Sequence, residues 1–281
     1  MDAGTPMVGG DPRPIGVFDS GTGGLSVLRA LREALPHEDF LYFDDSGFGP
    51  YGERGEAFVL ERTQAITAVL RSHGIKALVI ACNTATAAAV EAMRALHPEL
   101  PVVGVEPALK PAVATSVTGR IGVIATRGTL ESSRFAALQE AVGGSAHCVL
   151  QPCAGLAAAI DASAQGGGDA VVEALSTRYL AQMGVFGTGA GQIDTLVLGC
   201  THYVLVQPLL QALVGPTVRL VATGEAVARQ TVRRLGPAGL AQRGEPGRLG
   251  LLTSGDPHKL DTAVRHWLPS TQAAPARGTM C

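Results

Sequence analysis

At 281 residues, with 46% hydrophobic and only 16% charged side chains, the chain is long enough for one large core or two smaller ones. Its formal net charge of −2 supplies no field to draw in nucleic acid or an anionic membrane, and no apolar run reaches the roughly eighteen residues of a membrane span. The opening MDAGTPMVGGDPRP lacks the basic and apolar regions of a signal peptide, and five cysteines, an odd number, fit a reducing compartment better than a disulfide framework, so a cytoplasmic location is expected.

In chain order, IGVF (15–18) reads as a buried strand followed by the glycine-rich turn Asp19-Ser20-Gly21-Thr22-Gly23-Gly24. Leu25, Leu28, Leu31 and Leu35 then recur at helical spacing until Pro36. FLYF (40–43) predicts a second strand leading into a loop over 44–52. A helix is predicted over 56–72 with Gly74 as its cap. The run Ala77-Leu78-Val79-Ile80 ends in Ala81-Cys82-Asn83-Thr84 and an alanine-rich helix to about residue 96, followed by VVGV (102–105). After Glu106-Pro107 the grammar restarts, with a strand at 121–126, a helix over 129–142, a strand at 147–150, and helices near 157–164 and 169–183. Thr195-Leu196-Val197-Leu198-Gly199 is the next strand, ending in Cys200-Thr201-His202-Tyr203 and a helix to about 214. A strand at 218–221, a helix from Gly224, a polar Gly/Pro loop over 236–247, the strand LGLLT (249–253) and a helix opened by Asp256-Pro257 complete the pattern. Residues 1–13 and 270–281 are expected to be unstructured.

Alternation of strand and helix predicts an α/β fold of two similar lobes, each a mostly parallel sheet flanked by helices. Ligands bind such sheets beyond the carboxyl ends of their strands. Asp19, the Asp45–Gly52 loop, Cys82 and Cys200 all fall there, which places one site in the cleft between the lobes.

A lone cysteine after an apolar run is usually a small core residue, and Cys148 and Cys153 read that way, with Cys281 in the tail. Cys82 and Cys200 each stand where a helix begins, and its N–H groups and dipole are expected to lower a thiol's pKa toward neutral. His202 is placed to share a proton with Cys200. No C-x-x-C or H-x-x-x-H spacing supports zinc or a dithiol redox pair. Proton transfer at carbon remains: inverting a stereocentre needs a base on one face and an acid on the other, and two matched thiols on opposite lobes meet that need. The Asp19–Gly24 turn has two readings. It offers a degenerate nucleotide loop, with Asp44 as a ribose-binding acid. Alternatively, Asp19 pairs with a substrate ammonium or a catalytic group while Ser20 hydrogen-bonds the substrate.

Taken together, VFDSGTGGLSVLRAL (17–31), DDSGFGPYGERG (44–55), ALVIACNTATA (77–87), VVGVEPALKPA (102–112), IGVIATRGTL (121–130), LVLGCTHY (196–203) and LLTSGDP (251–257) resemble the glutamate racemases of the aspartate/glutamate racemase superfamily, in order over about residues 15–257. The resemblance implies a second lobe, 107–218, inserted into a first made of 1–106 plus 219–281. It implies cofactor-independent interconversion of L- and D-glutamate, with no pyridoxal phosphate, metal or nucleotide, feeding D-glutamate to peptidoglycan. A homodimer stands as an open assembly state. Carried over, Cys82 and Cys200 are the acid/base pair, and Asp19 and His202 tune or orient them. Ser20, Pro50, Tyr51, Gly52, Asn83, Thr84 and Thr201, with Asp19 and His202, fall where the family holds its substrate. The chain departs from the family pattern at Ala154, at Asp161 (often Glu) and at Ala222 (often Asp). A racemase for another amino acid such as aspartate, or a nucleotide-binding regulatory protein, are the alternative readings.

Overall fold

The computed structural model describes residues 10–142, 144, 146–241, 245–268 and 276–279. Its first lobe opens with β1 (Ile15–Asp19), α1 (Leu25–Ala34), β2 (Phe40–Asp44), α2 (Glu56–Ser72), β3 (Ala77–Ile80), α3 (Asn83–Leu96) and β4 (Val102–Gly104). The second lobe runs through α4 (Leu109–Thr115), β5 (Arg120–Ala125), α5 (Arg127–Leu130), α6 (Ser133–Val142), β6 (His147–Pro152), α7 (Leu156–Ser163) and α8 (Asp169–Met183). It closes with β7 (Thr195–Gly199), α9 (Thr201–Leu205), α10 (Gln207–Val214) and β8 (Arg219–Val221). The chain then returns to the first lobe with α11 (Gly224–Gly239), β9 (Leu249–Thr253), α12 (Pro257–Trp267) and β10 (Ala276–Thr279).

Two parallel sheets result, ordered β10-β9-β2-β1-β3-β4 and β6-β5-β7-β8. The central strands β1, β3 and β7 are buried along their whole length, as expected where helices cover both faces of a parallel sheet. Register brings their ends level: Asp19 pairs with Asp44 across β1 and β2, Phe18 with Ile80 across β1 and β3, and Ala125 with Gly199 across β5 and β7. The residues that follow each strand therefore crowd one end of each sheet.

Several expectations shift. The helix expected over 129–142 is two. Thr126 caps α5 by accepting the Thr129 N–H at 3.3 Å, and Ser132 accepts the Phe135 N–H at 3.1 Å as α6 starts afresh. The helix after Cys200 likewise divides, because Pro208 in the first turn of α10 has no N–H to continue the ladder. α11 runs into the segment read as a loop by kinking at Gly236, whose φ of +63° suits glycine. β8 pairs with β7, so residues 219–221 belong to the second sheet rather than the first lobe, and the chain crosses back after Val221. In the tail expected to be unstructured, 276–279 form β10, which pairs with the otherwise open edge of β9. Residues 10–13 are described and their neighbours 1–9 lie outside the described residues, as do 269–275 and 280–281. Among the described residues no helix is long and apolar enough to cross a membrane.

At the opposite end of the first sheet, Lys76 and Glu38 form a buried ion pair of 2.5 Å, with side chains 1% and 3% exposed. Lys76 also donates to the Asp11 carbonyl at 2.6 Å, and Glu38 accepts the Ala241 N–H at 2.6 Å. Removing one member leaves the other charge buried and unpaired. Lys76→Met is therefore expected to lower unfolding free energy by about 3–5 kcal/mol in urea titrations, although it lies far from the strand ends described next.

Candidate active site

Asp19 ends β1 and is completely buried. Its Oδ1 accepts the Ser20 N–H at 2.6 Å, and its Oδ2 accepts the Thr201 hydroxyl at 2.8 Å from the other lobe. Burial pushes its carboxyl up, against the opposing pull of His202 and these hydrogen bonds. The following turn passes so close to the second lobe that a Cβ on Gly23 would come within 2.3 Å of His202 Nδ1.

Cys82 follows β3 as the N-cap of α3 in extended conformation, its sulfur accepting the Ala85 N–H at 3.5 Å with the Ser20 hydroxyl also 3.5 Å away. Cys200 follows β7 in the equivalent place, as N-cap of α9. The two thiols are 5% and 7% exposed. Burial, reinforced by the nearby Asp19, pushes the Cys82 thiol well above its ordinary value. The helix start alone was expected to bring it toward neutral; burial outweighs the Ala85 and Ser20 hydrogen bonds.

His202 lies in the first turn after Cys200, its Nδ1 3.7 Å from the Cys200 sulfur and its Nε2 3.1 Å from each oxygen of Asp161. Burial disfavours the charged ring, but the Asp161 carboxylate more than reverses this and holds the imidazole well above its usual pKa. Burial pushes Asp161 up in turn, and His202 with Thr22 hold it below its ordinary value. The Gly23 N–H also lies 3.2 Å from Nε2. A protonated Nε2 serves the carboxylate, which leaves the Gly23 approach as a contact. The ring's Nδ1–H then points at Cys200. Asp161 sits on α7 and also accepts the Thr22 hydroxyl at 2.5 Å and its N–H at 3.2 Å, across the cleft.

Asn83 and Thr84 occupy the first turn of α3. Asn83 is buried, and neither its Oδ1 nor its Nδ2 has a protein partner. Thr84 faces Thr126 of the second lobe at 2.9 Å, with Thr129 at 3.5 Å. Ser20 and Thr201 stand beside Asp19 as expected. Tyr51 is fully buried and its hydroxyl is taken by Asp45, so what Tyr51 and Gly52 offer toward the second lobe is main chain, with the Gly52 carbonyl beside Gly128. Gly52 packs against Thr126, where a Cβ would come within 2.7 Å. Sequence reasoning missed Thr126 and Thr129, met Asp45 only as the start of a strand-end loop, and met Asp161 only as a departure. Thr126 directly follows a third strand, β5, in the same manner as the cysteines follow theirs, and Thr129 lies in the α5 turn that it caps.

Cys153 is buried, which pushes its thiol up to about 12, and Cys148 is half-buried and raised by burial. Both fit the core reading; Cys281 lies outside the described residues. A cavity between α1, β8 and α11 contains neither Cys82 nor Cys200, so volume does not locate the chemistry. A nucleotide phosphate at the glycine turn would meet the carboxylates of Asp19 and Asp161, which disfavours that reading.

The arrangement holds two buried thiols from two lobes, each beside a carboxylate or imidazole, with an unpartnered amide between strand ends. The sequence profile described as Asp/Glu/Hydantoin racemase matches residues 15–231. The glutamate racemase of Ectopseudomonas mendocina is 51% identical over 223 residues, covering 79% of this chain and 82% of the relative. The crystal structure of a glutamate racemase isoform from Bacillus anthracis superposes with a TM-score of 0.82 at 28% identity, covering 96% of this chain and 97% of that one. The glutamate racemase from Francisella tularensis, in complex with D-glutamate, gives 0.79 at 26% identity over 95% of this chain and 98% of that one.

Asp161→Asn removes the charge that keeps His202 protonated, so the His202 pKa is expected to fall in an NMR titration of its ring. Because that pKa is raised in the folded state, the pair stabilises the fold most between about pH 4 and 6.5. The advantage of wild type over the variant then fades as pH rises through the folded-state pKa, and melting temperatures measured across pH check the sign.

Proposed function

The chain belongs to the Asp/Glu/hydantoin racemase family, and on that premise we propose that it interconverts L- and D-glutamate by a two-base proton transfer between the α-carbon and the thiols of Cys82 and Cys200. The observation that carries this reading is the pair of buried thiols at the helix starts that follow strands of two different sheets, joined at their ends by the Thr201–Asp19 bond. The relative and the two solved structures named above, all glutamate racemases, support glutamate as substrate.

Inverting the α-carbon divides the chemistry between two faces. A thiolate on one face takes the α-proton and becomes a thiol. The C–H electron pair stays on the substrate, delocalised into the α-carboxylate, and the opposite thiol returns a proton and becomes a thiolate. One turnover thus exchanges the protonation states of the two cysteines, and each serves as base for one enantiomer. Cys82, held neutral by burial and Asp19, is set as acid; His202, charged and aimed at Cys200, is set to receive a thiolate there. The substrate carbanion is far more basic than a thiolate, so its negative charge needs donors fixed in advance. Main-chain N–H groups at the starts of α3 and α9, the Asn83 amide and the hydroxyls of Thr84, Thr201 and Ser20 are available for its carboxylates. Asp19 is the anion for its ammonium. Water exclusion by the closed lobes strengthens each contact.

In this proposal the product D-glutamate supplies peptidoglycan synthesis in the cytoplasm, the residues carried over from the family hold the substrate, and the protein assembles as a homodimer.

Purified protein incubated with either enantiomer in D2O is expected to yield the opposite enantiomer carrying deuterium at the α-carbon from the earliest time points. Product without solvent deuterium would sink the two-base scheme. Cys82→Ala and Cys200→Ala are each expected to lose at least about a thousandfold in kcat, within the range for removal of an acid/base group. L-aspartate run alongside tests the choice of substrate.

A further inference from the structure

The loop that carries Pro50, Tyr51 and Gly52 is suspended from one residue. Asp45, fully buried directly after β2, donates its N–H to the Asp19 carbonyl at 2.9 Å. Its own carbonyl accepts the N–H groups of Phe48 and Gly49, both at 3.0 Å. Its carboxylate takes the Tyr51 hydroxyl and, in a fork, the Arg62 Nε at 3.0 Å and Nη2 at 2.7 Å. Arg62 projects from α2, its guanidinium 3.6 Å from the centre of the Phe48 ring. Two-pronged Arg–carboxylate geometry fixes orientation as well as distance, and stacking on the ring adds a third point of restraint. The loop is wedged at both sides: a Cβ on Gly49 would strike the Ser20 carbonyl, and one on Gly52 would reach Thr126 of the second lobe. A shift of a few tenths of an ångström at Asp45 thus passes directly to the main chain facing the cleft.

We propose that Asp45, through Arg62 and Tyr51, is a positioning residue that holds the Pro50–Gly52 main chain in register with the substrate, setting substrate affinity rather than the proton-transfer step. Asp45 and Arg62 do not touch the thiols; they act on ground state and transition state alike by fixing one wall of the pocket. Loss of such uniform binding raises KM and leaves kcat in place.

This inference rests on glutamate racemisation as the activity. The test compares wild type, Asp45→Asn and Arg62→Gln by circular dichroism and by racemisation kinetics from both enantiomers. Arg62→Gln leaves the buried Asp45 charge without its cation, whereas Asp45→Asn removes that charge and keeps an oxygen to accept the Tyr51 hydroxyl, so Asp45→Asn is the variant expected to retain the fold where Arg62→Gln does not. The expected result is KM raised about tenfold in both directions with kcat within about twofold of wild type. An active wild type together with a folded variant whose KM is unchanged, or whose kcat alone falls, overturns the clamp. A wild type that leaves glutamate unracemised overturns the activity reading itself and the clamp's role with it.

Discussion

The hydrogen bond from Thr201 to Asp19 joins the end of one sheet to the end of the other, and bonds of that kind set the two thiol-bearing strand ends against each other. Buried polar groups are tolerated only when their hydrogen bonds are met. Here several of those at the strand ends are met across the cleft rather than within a lobe. Asp161 takes Thr22, the Ser26 hydroxyl reaches the Thr201 carbonyl at 3.0 Å, and Thr84 meets Thr126. The lobes therefore have a defined mutual position for polar reasons. Apolar contact alone would tolerate sliding; a set of directional bonds does not. Beside these bonds, at the start of α3, Asn83 has neither amide atom paired, and an unpaired amide in such a setting is what a polar ligand would complete.

The same burial decides the chemistry of the thiols. Helix-end stabilisation is worth about 0.3–1 kcal/mol, less than one pKa unit, whereas burial displaces an acid by up to several units. At Cys82 the larger effect wins and the thiol is held neutral. On the other lobe a carboxylate and an imidazole share the cost of burial, because Asp161 keeps His202 charged and His202 keeps Asp161 ionised. One lobe thus stores a proton on sulfur and the other presents a cation to sulfur. Two cysteines in similar backbone settings are made chemically unequal by their neighbours.

Much of this was legible in advance because the signals are local. Apolar runs ending in Ala81-Cys82 and Gly199-Cys200 announce strand ends, and Asp256-Pro257 announces a helix start that the structure realises, with Asp256 accepting the His258 N–H. The chain's family was carried by motifs that fall at those same strand ends. What escaped depends on partners distant in sequence. Asp161 looked like a shortened family carboxylate, yet its value lies in Thr22 and His202, 139 and 41 positions away. Nearer in sequence, Asp45 occupies the Tyr51 hydroxyl, a pairing the motif does not display, and it leaves main chain as what Tyr51 offers the cleft. The acidity of Cys82 could not be read from its helix position, since burial is a property of the assembled lobes. Residues 219–221 were misassigned because three apolar-rich residues do not say which sheet they join.

The interleaved course of the chain has a consequence for how the molecule comes into being. β9 lies against β2 in the first sheet, yet it is encoded after every strand of the second. During synthesis, which proceeds from the N-terminus, the inserted lobe has all four of its strands well before the surrounding lobe has its fifth. The outer edge of β2 must wait, unpaired, through the whole emergence of the second lobe. The lobe that starts the chain is therefore the last to be completed, and the cleft acquires its finished wall only when the C-terminal segment arrives.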